Sequence, residues 1–126
     1  MAKAESLFKV KEILPDMINW MHNRKYPFVL LTEASINLAD DPELLDMMVE
    51  AGFTKVFIGL ETPFEDSLAE CNKFLNVKKD LVSSVKRIQK AGLEVMAGFI
   101  VGFDNDPITI FERQIEFIQR FAIINL

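Results

Sequence analysis

The feature that most constrains the fold of this chain is a regular alternation of amphipathic stretches with short, nearly continuous apolar runs. In the amphipathic stretches, apolar residues recur at helical spacing and would cover one face of a helix. The apolar runs suit strands that are covered on both faces, as in a parallel sheet. The pattern therefore predicts an α/β fold of about three βα units with parallel strands, in one domain over residues 1–126.

Cap residues set the expected limits of the helices. Asp41 followed by Pro42 is an N-cap pattern, and Gly52 and Gly92 are expected to close two helices. The predicted helices cover residues 5–22, 41–51, 62–71 and 80–91, and a last helix, capped at Asp106, runs to about residue 120. The predicted strands cover residues 26–33, 55–61 and 94–101, with a fourth strand beginning at 122–126.

Composition and charge exclude several classes of function. A net charge of −5 and a pI near 4.9 offer no basic surface for phosphates, so nucleic acid is not expected as a partner. The one cysteine, Cys71, excludes an internal disulfide and a multi-cysteine metal site built from this chain alone. No apolar run approaches the roughly 20 residues that span a bilayer, and the first residues lack the apolar core of a signal peptide. A cytoplasmic location is expected.

Carboxylates stand at the ends of the predicted strands, at Glu33, Glu61, Asp104 and Asp106. In α/β barrels, sites are built at the carboxyl ends of the strands. A carboxylate there is a candidate ligand for ribose hydroxyls or a metal, or a candidate proton carrier. The alternative is that each carboxylate caps the following helix, which is our interpretation of Asp106 because Pro107 follows it.

Helix capping does not explain Glu61, because the expected cap of the next helix is Thr62. On a period of two, Glu61 shares a strand face with Phe57 and Gly59. The opposite face is aliphatic and suits packing against helices; it holds Val56, Ile58 and Leu60. We therefore expect Glu61 to point inward, away from the helices.

Two glycines, Gly98 and Gly102, interrupt the third predicted strand, where glycine is normally unfavourable. Because they share a strand face, they suggest the close approach of a ligand or of another backbone. A crowded barrel interior would explain both glycines equally well.

Residues 57–62, Phe-Ile-Gly-Leu-Glu-Thr, followed by Leu68 and Lys73, resemble the fourth-strand segment of radical S-adenosylmethionine enzymes. In that family the glutamate of this segment binds the ribose hydroxyls of the cofactor. The resemblance therefore implies that Glu61 contacts the ribose, with Gly59 beside it.

Residues 98–102, Gly-Phe-Ile-Val-Gly, are similar to the Gly-x-Ile-x-Gly-x-x-Glu segment on the fifth strand of the same family. Backbone groups near the isoleucine of that segment meet the adenine, which the resemblance implies for Ile100. The final glutamate of the segment is replaced here by Asn105, with Asp104 beside it, so this position departs from the family pattern.

More narrowly, residues 32–40 and 98–106 resemble a subgroup that carries an upstream cobalamin-binding domain and includes hopanoid methylases. The resemblance runs from about residue 7 to the end of the chain. It implies a fragment of a partial (β/α)6 TIM-like barrel, from the second helix to the start of the sixth strand. The cofactor contacts that it implies are Glu33, Ser35, Gly59, Glu61, Gly98, Ile100, Gly102 and Asp104.

The resemblance also implies an activity for the whole enzyme: reductive cleavage of S-adenosylmethionine to a 5'-deoxyadenosyl radical, or radical-type methyl transfer, with a [4Fe-4S] cluster and in the subgroup cobalamin. The cluster needs three thiolates from a Cys-x-x-x-Cys-x-x-Cys loop, which this chain lacks. We therefore expect the cluster ligands outside the chain, and we expect the chain alone to be inactive.

Two other functions stay open on the residues alone. The chain could act as a non-catalytic α/β interaction module. It could also belong to an unrelated α/β-barrel enzyme that binds a divalent metal through Glu33, Glu61 and Asp104. Apart from function, the apolar strand at residues 28–32 and the inner sheet face are expected to make the chain self-associate.

Overall fold

The computed structural model of the chain describes residues 4–61 and 80–120, with side chains from residue 9 onward. The helices in these ranges are α1 (Ala4–Asn23), α2 (Pro42–Ala51), α3 (Leu81–Ala91) and α4 (Ile110–Arg120), with a 3-10 helix at Ile36–Asp40. The strands are β1 (Leu30–Ala34), β2 (Phe53–Glu61) and β3 (Glu94–Phe99). The helix predicted over 62–71, Cys71 and the strand predicted at 122–126 lie outside the described residues. None of the four helices has both the length and the apolarity to cross a bilayer.

The three strands form an open parallel sheet in the order β1-β2-β3. Ala34 of β1 lies opposite Ile58 of β2, and Gly59 of β2 lies opposite Gly98 of β3. Parallel neighbours need crossover connections, and α2 supplies the one between β1 and β2. The prediction of an α/β fold with three parallel strands is confirmed.

The core lies between one face of the sheet and the helices. The aliphatic face of β2, formed by Val56, Ile58 and Leu60, has no exposed surface. Burying each of these side chains stabilises the fold by about 1.5 to 3 kcal/mol. They pack in one cluster with buried residues of the helices, among them Leu14, Leu44, Val85 and Ile88. The predicted aliphatic face of β2 is confirmed.

The other face of the sheet is open in the described part of the chain. Leu31 is 68% exposed, Met96 is 47% exposed and Phe57 is 38% exposed. The expectation that the strands are covered on both faces is therefore wrong for these residues, because α1, α2 and α3 all belong to the single core cluster on the opposite side.

The predicted caps Asp41, Gly52 and Gly92 are confirmed, and Asp80 is a further cap that was not predicted. Asp41 accepts a hydrogen bond from the Leu44 N–H at 3.0 Å and caps the start of α2. Asp80 accepts from the Ser83 N–H at 3.1 Å and does the same for α3. Gly52, with φ of 101°, and Gly92, with φ of 114°, end the two helices in the left-handed conformation that glycine adopts without strain.

The first strand is shorter than predicted because the residues at its predicted start form a turn. Lys25 and Tyr26 have positive φ values of 57° and 53°, and the Tyr26 N–H donates to the Met21 carbonyl at 2.8 Å. The Tyr26 hydroxyl donates to the Glu50 carbonyl at 2.9 Å and fixes the turn against α2. Strand β1 therefore begins at Leu30 and not at residue 26.

The limits predicted around the second and third strands also need correction. Strand β2 begins at Phe53, two residues before the predicted start, and β3 ends at Phe99 and not at residue 101. Helix α4 begins at Ile110, so Asp106 does not cap it at Pro107. The Asp106 carboxylate instead accepts from the N–H groups of Gly102 and Phe103, at 2.9 and 3.0 Å. It closes a loop between strand and helix.

The 3-10 helix was not predicted. It carries Ile36, Leu38 and Ala39 into the core, with at most 3% of each residue exposed. The connection between β1 and α2 is therefore part of the packed interior. Its backbone starts at Ser35, which has an extended conformation with φ of −80° and ψ of 161°.

An ion pair joins α1 to the start of α2. The Lys11 ammonium lies 2.8 Å from the Asp41 carboxylate and 3.3 Å from that of Glu43. Burial raises the pKa of the Asp41 carboxyl, but the hydrogen bonds from Lys11 and from the Leu44 N–H outweigh it, so the pKa lies below its ordinary value.

Removing the Asp41 carboxylate should destabilise the fold. We expect Asp41→Ala to lower the free energy of unfolding by about 1 kcal/mol at neutral pH, because α2 loses its N-cap. The stabilisation from a lowered pKa is present above the unfolded-state pKa and is lost as the pH falls through the folded-state pKa. The difference should therefore shrink below about pH 4. Urea denaturation at neutral and acidic pH measures it, with the exposed Asp46→Ala in the same helix as control. A difference that stays constant down to acidic pH would contradict this origin.

Self-association should depend on β1, which lies at the edge of the described sheet. Its exposed apolar Leu31, next to the 74% exposed Val29, favours pairing with another chain. We expect Leu31→Lys to shift the chain toward the monomer in light scattering, because a charged edge opposes pairing. The control Ser83→Lys, at an exposed position of α3, should leave the distribution unchanged. Equal association of both variants would exclude β1 as the contact.

Candidate functional site

The carboxyl ends of the three parallel strands meet at one edge of the sheet, which is where α/β proteins place ligands. Ser35 follows β1, Glu61 ends β2 and Ile100 follows β3. The sequence-predicted contacts therefore come from three neighbouring strands.

Glu61 holds an unusual backbone conformation. Its φ is 69°, in the left-handed region that residues other than glycine adopt rarely. The pairing between β2 and β3 shifts register between Gly59 and Glu61, so Glu61 lies opposite Phe99. Such a conformation costs about 1 to 3 kcal/mol and persists only where the surroundings hold it. The half-buried Glu61 thus marks a strained position at the end of the central strand.

The backbone of Ile100 is bonded on both sides. Its N–H donates to the Glu61 carbonyl at 2.7 Å, which extends the contact between β2 and β3 past the regular strand. Its carbonyl accepts from Nε2 of Gln114 at 3.1 Å. The N–H of Ile100 is therefore already engaged within the protein, while its carbonyl keeps a second lone pair for another donor.

Gln114 was not predicted as a site residue, although the sequence contains a signal for it. It lies on the buried side of α4, one turn after Ile110 and one turn before Phe117, and is only 8% exposed. A polar side chain among the apolar positions of an amphipathic helix needs a hydrogen-bond partner when it is buried. Ile100 is that partner.

Gly98 and Gly59 lie opposite each other in the open sheet. A side chain comes close to Gly98: a Cβ at this position would come within 2.7 Å of Cζ of Phe57. The ring of Phe57 therefore lies close to the place that a side chain at position 98 would occupy. It covers part of the open face beside Glu61. The approach of a ligand or of another backbone, which the sequence suggested, stays a prediction.

Gly102 does not share that role. It lies beyond β3, so it does not interrupt the strand, and a Cβ there would meet nothing within 4 Å. Its φ of 112° explains the glycine, because side chains rarely adopt this conformation. No protein atom approaches Gly102 closely, so the approach of a ligand at this glycine stays a prediction.

The other predicted residues lie farther apart. Glu33 is exposed and lies opposite Phe57. Phe57 precedes Glu61 by four residues in β2, so Glu33 and Glu61 are separated by about 13 Å along the strand direction. Asp104 lies in an exposed turn after β3. Among the described residues, no group of three or more His, Cys, Asp or Glu side chains could hold a metal ion. The structure therefore does not bring Glu33, Glu61 and Asp104 together as metal ligands.

Two shallow clefts of about 320 and 350 Å³ lie along α3, in the helix layer. Arg87, which lines both, lies 3.4 Å from the Asp40 carboxylate, and both side chains are about half exposed. An exposed ion pair of this kind contributes little to stability or binding. Residues of the helices and of the connections before them line both clefts.

Known methyltransferases are similar to this chain. An uncharacterized methyltransferase of Synechocystis sp. is 47% identical over 114 residues, which cover 90% of this chain and 21% of that protein. Hopanoid C-2 methylase of Rhodopseudomonas palustris is 33% identical over 112 residues, covering 89% of this chain and 21% of the methylase. Bacteriochlorophyllide d C-12(1)-methyltransferase of Chlorobaculum tepidum is 28% identical over 89 residues, covering 71% of this chain and 20% of that enzyme.

The chain spans about a fifth of the length of these curated relatives. No family model matches it, and no solved structure matches it. The similarity relates the chain to part of proteins named for methyl transfer, in agreement with the expectation of an enzyme.

The contact between Phe57 and Gly98 can be tested by stability. Gly98→Ala places a methyl group against the end of the Phe57 ring. Because this ring is partly exposed and can move aside, we expect a loss of only about 1 kcal/mol of unfolding free energy. Shortening the ring side chain with Phe57→Leu in the same protein should recover much of that loss. A double-mutant cycle by denaturant unfolding measures the coupling. Additive effects of the two changes would show that the ring does not constrain position 98.

Proposed function

We propose that this chain is the S-adenosylmethionine-binding part of a radical-type methyltransferase, and that Glu61 binds the ribose hydroxyls of the cofactor. The chain would form part of a (β/α)6 barrel whose strand ends carry the site. The observation that carries the proposal is the left-handed backbone of Glu61 at the end of the central strand, because strained residues cluster at ligand sites.

The chemistry of a carboxylate suits this role. A ribose presents two neighbouring hydroxyl donors, and an ionised carboxylate has two acceptor oxygens. Hydrogen bonds to a charged acceptor are shorter and stronger than those between neutral groups. Glu61 ends the central strand, so a nucleoside bound there would lie over the carboxyl ends of β2 and β3.

The open face beside Glu61 offers apolar surface for the adenine. Phe57 is 38% exposed and Ile100 is 47% exposed. Aromatic and aliphatic surface of this kind lines most nucleotide pockets, with few polar groups for orientation. In this proposal the Ile100 carbonyl, with its second lone pair, is the polar group that faces the exocyclic amine of the adenine.

The relatives support methyl transfer as the reaction of the whole protein. They are named as an uncharacterized methyltransferase, a hopanoid C-2 methylase and a bacteriochlorophyllide methyltransferase. S-adenosylmethionine is the methyl donor that we assign to this chain, and the acceptor would be a small molecule.

The [4Fe-4S] cluster does not fit this chain. Three thiolates are needed, and the chain has one cysteine, Cys71, outside the described residues. Such a cluster supplies the electron for reductive cleavage of the cofactor when it is bound. We assign its ligands, and any cobalamin, to other parts of a longer protein, and we expect the chain by itself to be inactive.

One observation favours a second function, that of an interaction module. Beside and along α4, apolar side chains form an exposed stripe at helical spacing: Ile108, Phe111, Ile115 and Ile118 are 100, 64, 57 and 40% exposed. An exposed apolar patch of this kind often marks a contact surface. Two results together would favour this second function. The unchanged chain would bind no nucleoside, and the Phe111→Glu variant would self-associate less than the unchanged chain.

Glu61 should matter for cofactor affinity and little for folding. Glu61→Gln keeps the size of the side chain but removes its charge, and a hydrogen bond to a charged group is worth about 1.5 to 3 kcal/mol. We expect S-adenosylmethionine to bind about ten-fold or more weakly to the full-length protein. Calorimetry measures the affinity, with the exposed Glu12→Gln on α1 as a matched control. An unchanged affinity in a folded Glu61→Gln protein would refute the ribose contact.

A further inference from the structure

We propose that Gln114 is a positioning residue, which holds the end of β2 in its binding geometry by acting through Ile100. The inference rests on the proposed nucleoside site and adds to it a residue on α4, outside the strands.

Gln114 is placed for this role by burial and by a specific bond. It is 8% exposed, and one turn before it Ile110 is 4% exposed, so this side of α4 faces the core. Its Nε2 donates to the Ile100 carbonyl at 3.1 Å. A buried amide that lost this acceptor would leave its N–H group without a hydrogen bond, which is unfavourable, so burial favours this pairing.

Ile100 connects Gln114 to Glu61. The Ile100 N–H donates to the Glu61 carbonyl at 2.7 Å, and the regular part of β3 has ended one residue earlier, at Phe99. The peptide before Ile100 is therefore bonded to β2, and the peptide after it is bonded to α4. Together, the two bonds fix Ile100 where the strand gives way to a loop.

Helix α4 has its own anchor on β3. The ring of Phe117 meets that of Phe99 edge to face, with 6.0 Å between the ring centroids. This contact sets the helix against the strand, so that Gln114, one turn earlier, reaches the Ile100 carbonyl. Because α4 is held against β3, the hydrogen bond from Gln114 can keep Ile100 in one place at the strand end.

The consequence concerns the direction of the Glu61 side chain. A φ of 69° is stable only while the neighbouring peptide groups are held, and the Glu61 carbonyl is held by Ile100. Without the bond from Gln114, the Ile100 segment can move, and the Glu61 backbone can relax toward a commoner conformation. Gln114 would then affect nucleoside binding without touching the nucleoside.

The test compares Gln114→Met and Gln114→Glu with the unchanged full-length protein. Methionine keeps the length of the side chain without a donor, and an ionised glutamate has only acceptors. In both variants we expect hydrogen exchange of the Ile100 amide to accelerate by about three- to ten-fold, with S-adenosylmethionine binding weakened by a similar factor. Amides of α3 should keep their exchange rates. Gln119→Met, at an exposed position of α4, should change neither quantity.

The possible outcomes separate the two proposals. Unchanged exchange at Ile100 in a folded variant would overturn the role of Gln114, and two variants guard against the misfolding of one. Faster exchange with unchanged affinity, in a protein where Glu61→Gln weakens binding, would also overturn it. If the unchanged protein does not bind S-adenosylmethionine, the proposed function fails, while the exchange rate still decides whether Gln114 holds Ile100.

Discussion

The fold depends on the burial of the aliphatic face of β2. Val56, Ile58 and Leu60 have no exposed surface, and the helices pack in one cluster against them. Because side chains alternate along a strand, a slip of one residue would place Phe57 and Gly59 in the core and expose the aliphatic residues. The core therefore fixes which residues reach the open face. The placement of the candidate site follows from the packing on the other side of the sheet.

The backbone at the candidate site leaves the regular strand conformation directly beside the most deeply buried residues. Directly after Leu60, which is fully buried, the backbone of Glu61 turns to a φ of 69°. The strain of that turn is opposed by bonds from outside the strand, first from Ile100 and behind it from Gln114. A local irregularity that is supported by a regular framework is the usual form of a ligand site. Here the framework is the central strand, and α4 provides the support.

The sequence predicted the elements whose cause is local. Alternating apolar runs predicted three parallel strands, and cap residues such as Asp41 and Gly92 predicted helix ends correctly. The sequence could not show the conformation of Glu61 or the bond from Gln114, because both depend on residues brought together only by the fold. The start of α4 was misplaced for a related reason: the Asp106 carboxylate bonds backward to Gly102, a choice that the pair Asp-Pro does not reveal.

The strand order has a consequence for how the domain opens. Sequence order equals spatial order, so that β1 and β3 each pair with β2 and not with each other. Within the sheet of the described residues, either outer strand can separate by breaking one ladder, while β2 can separate only by breaking both. Local opening should therefore cost least at the outer strands and approach the global unfolding free energy at β2. The strained strand end of Glu61 thus belongs to the last part of the sheet to unfold, which keeps it in place through the commoner fluctuations of its neighbours.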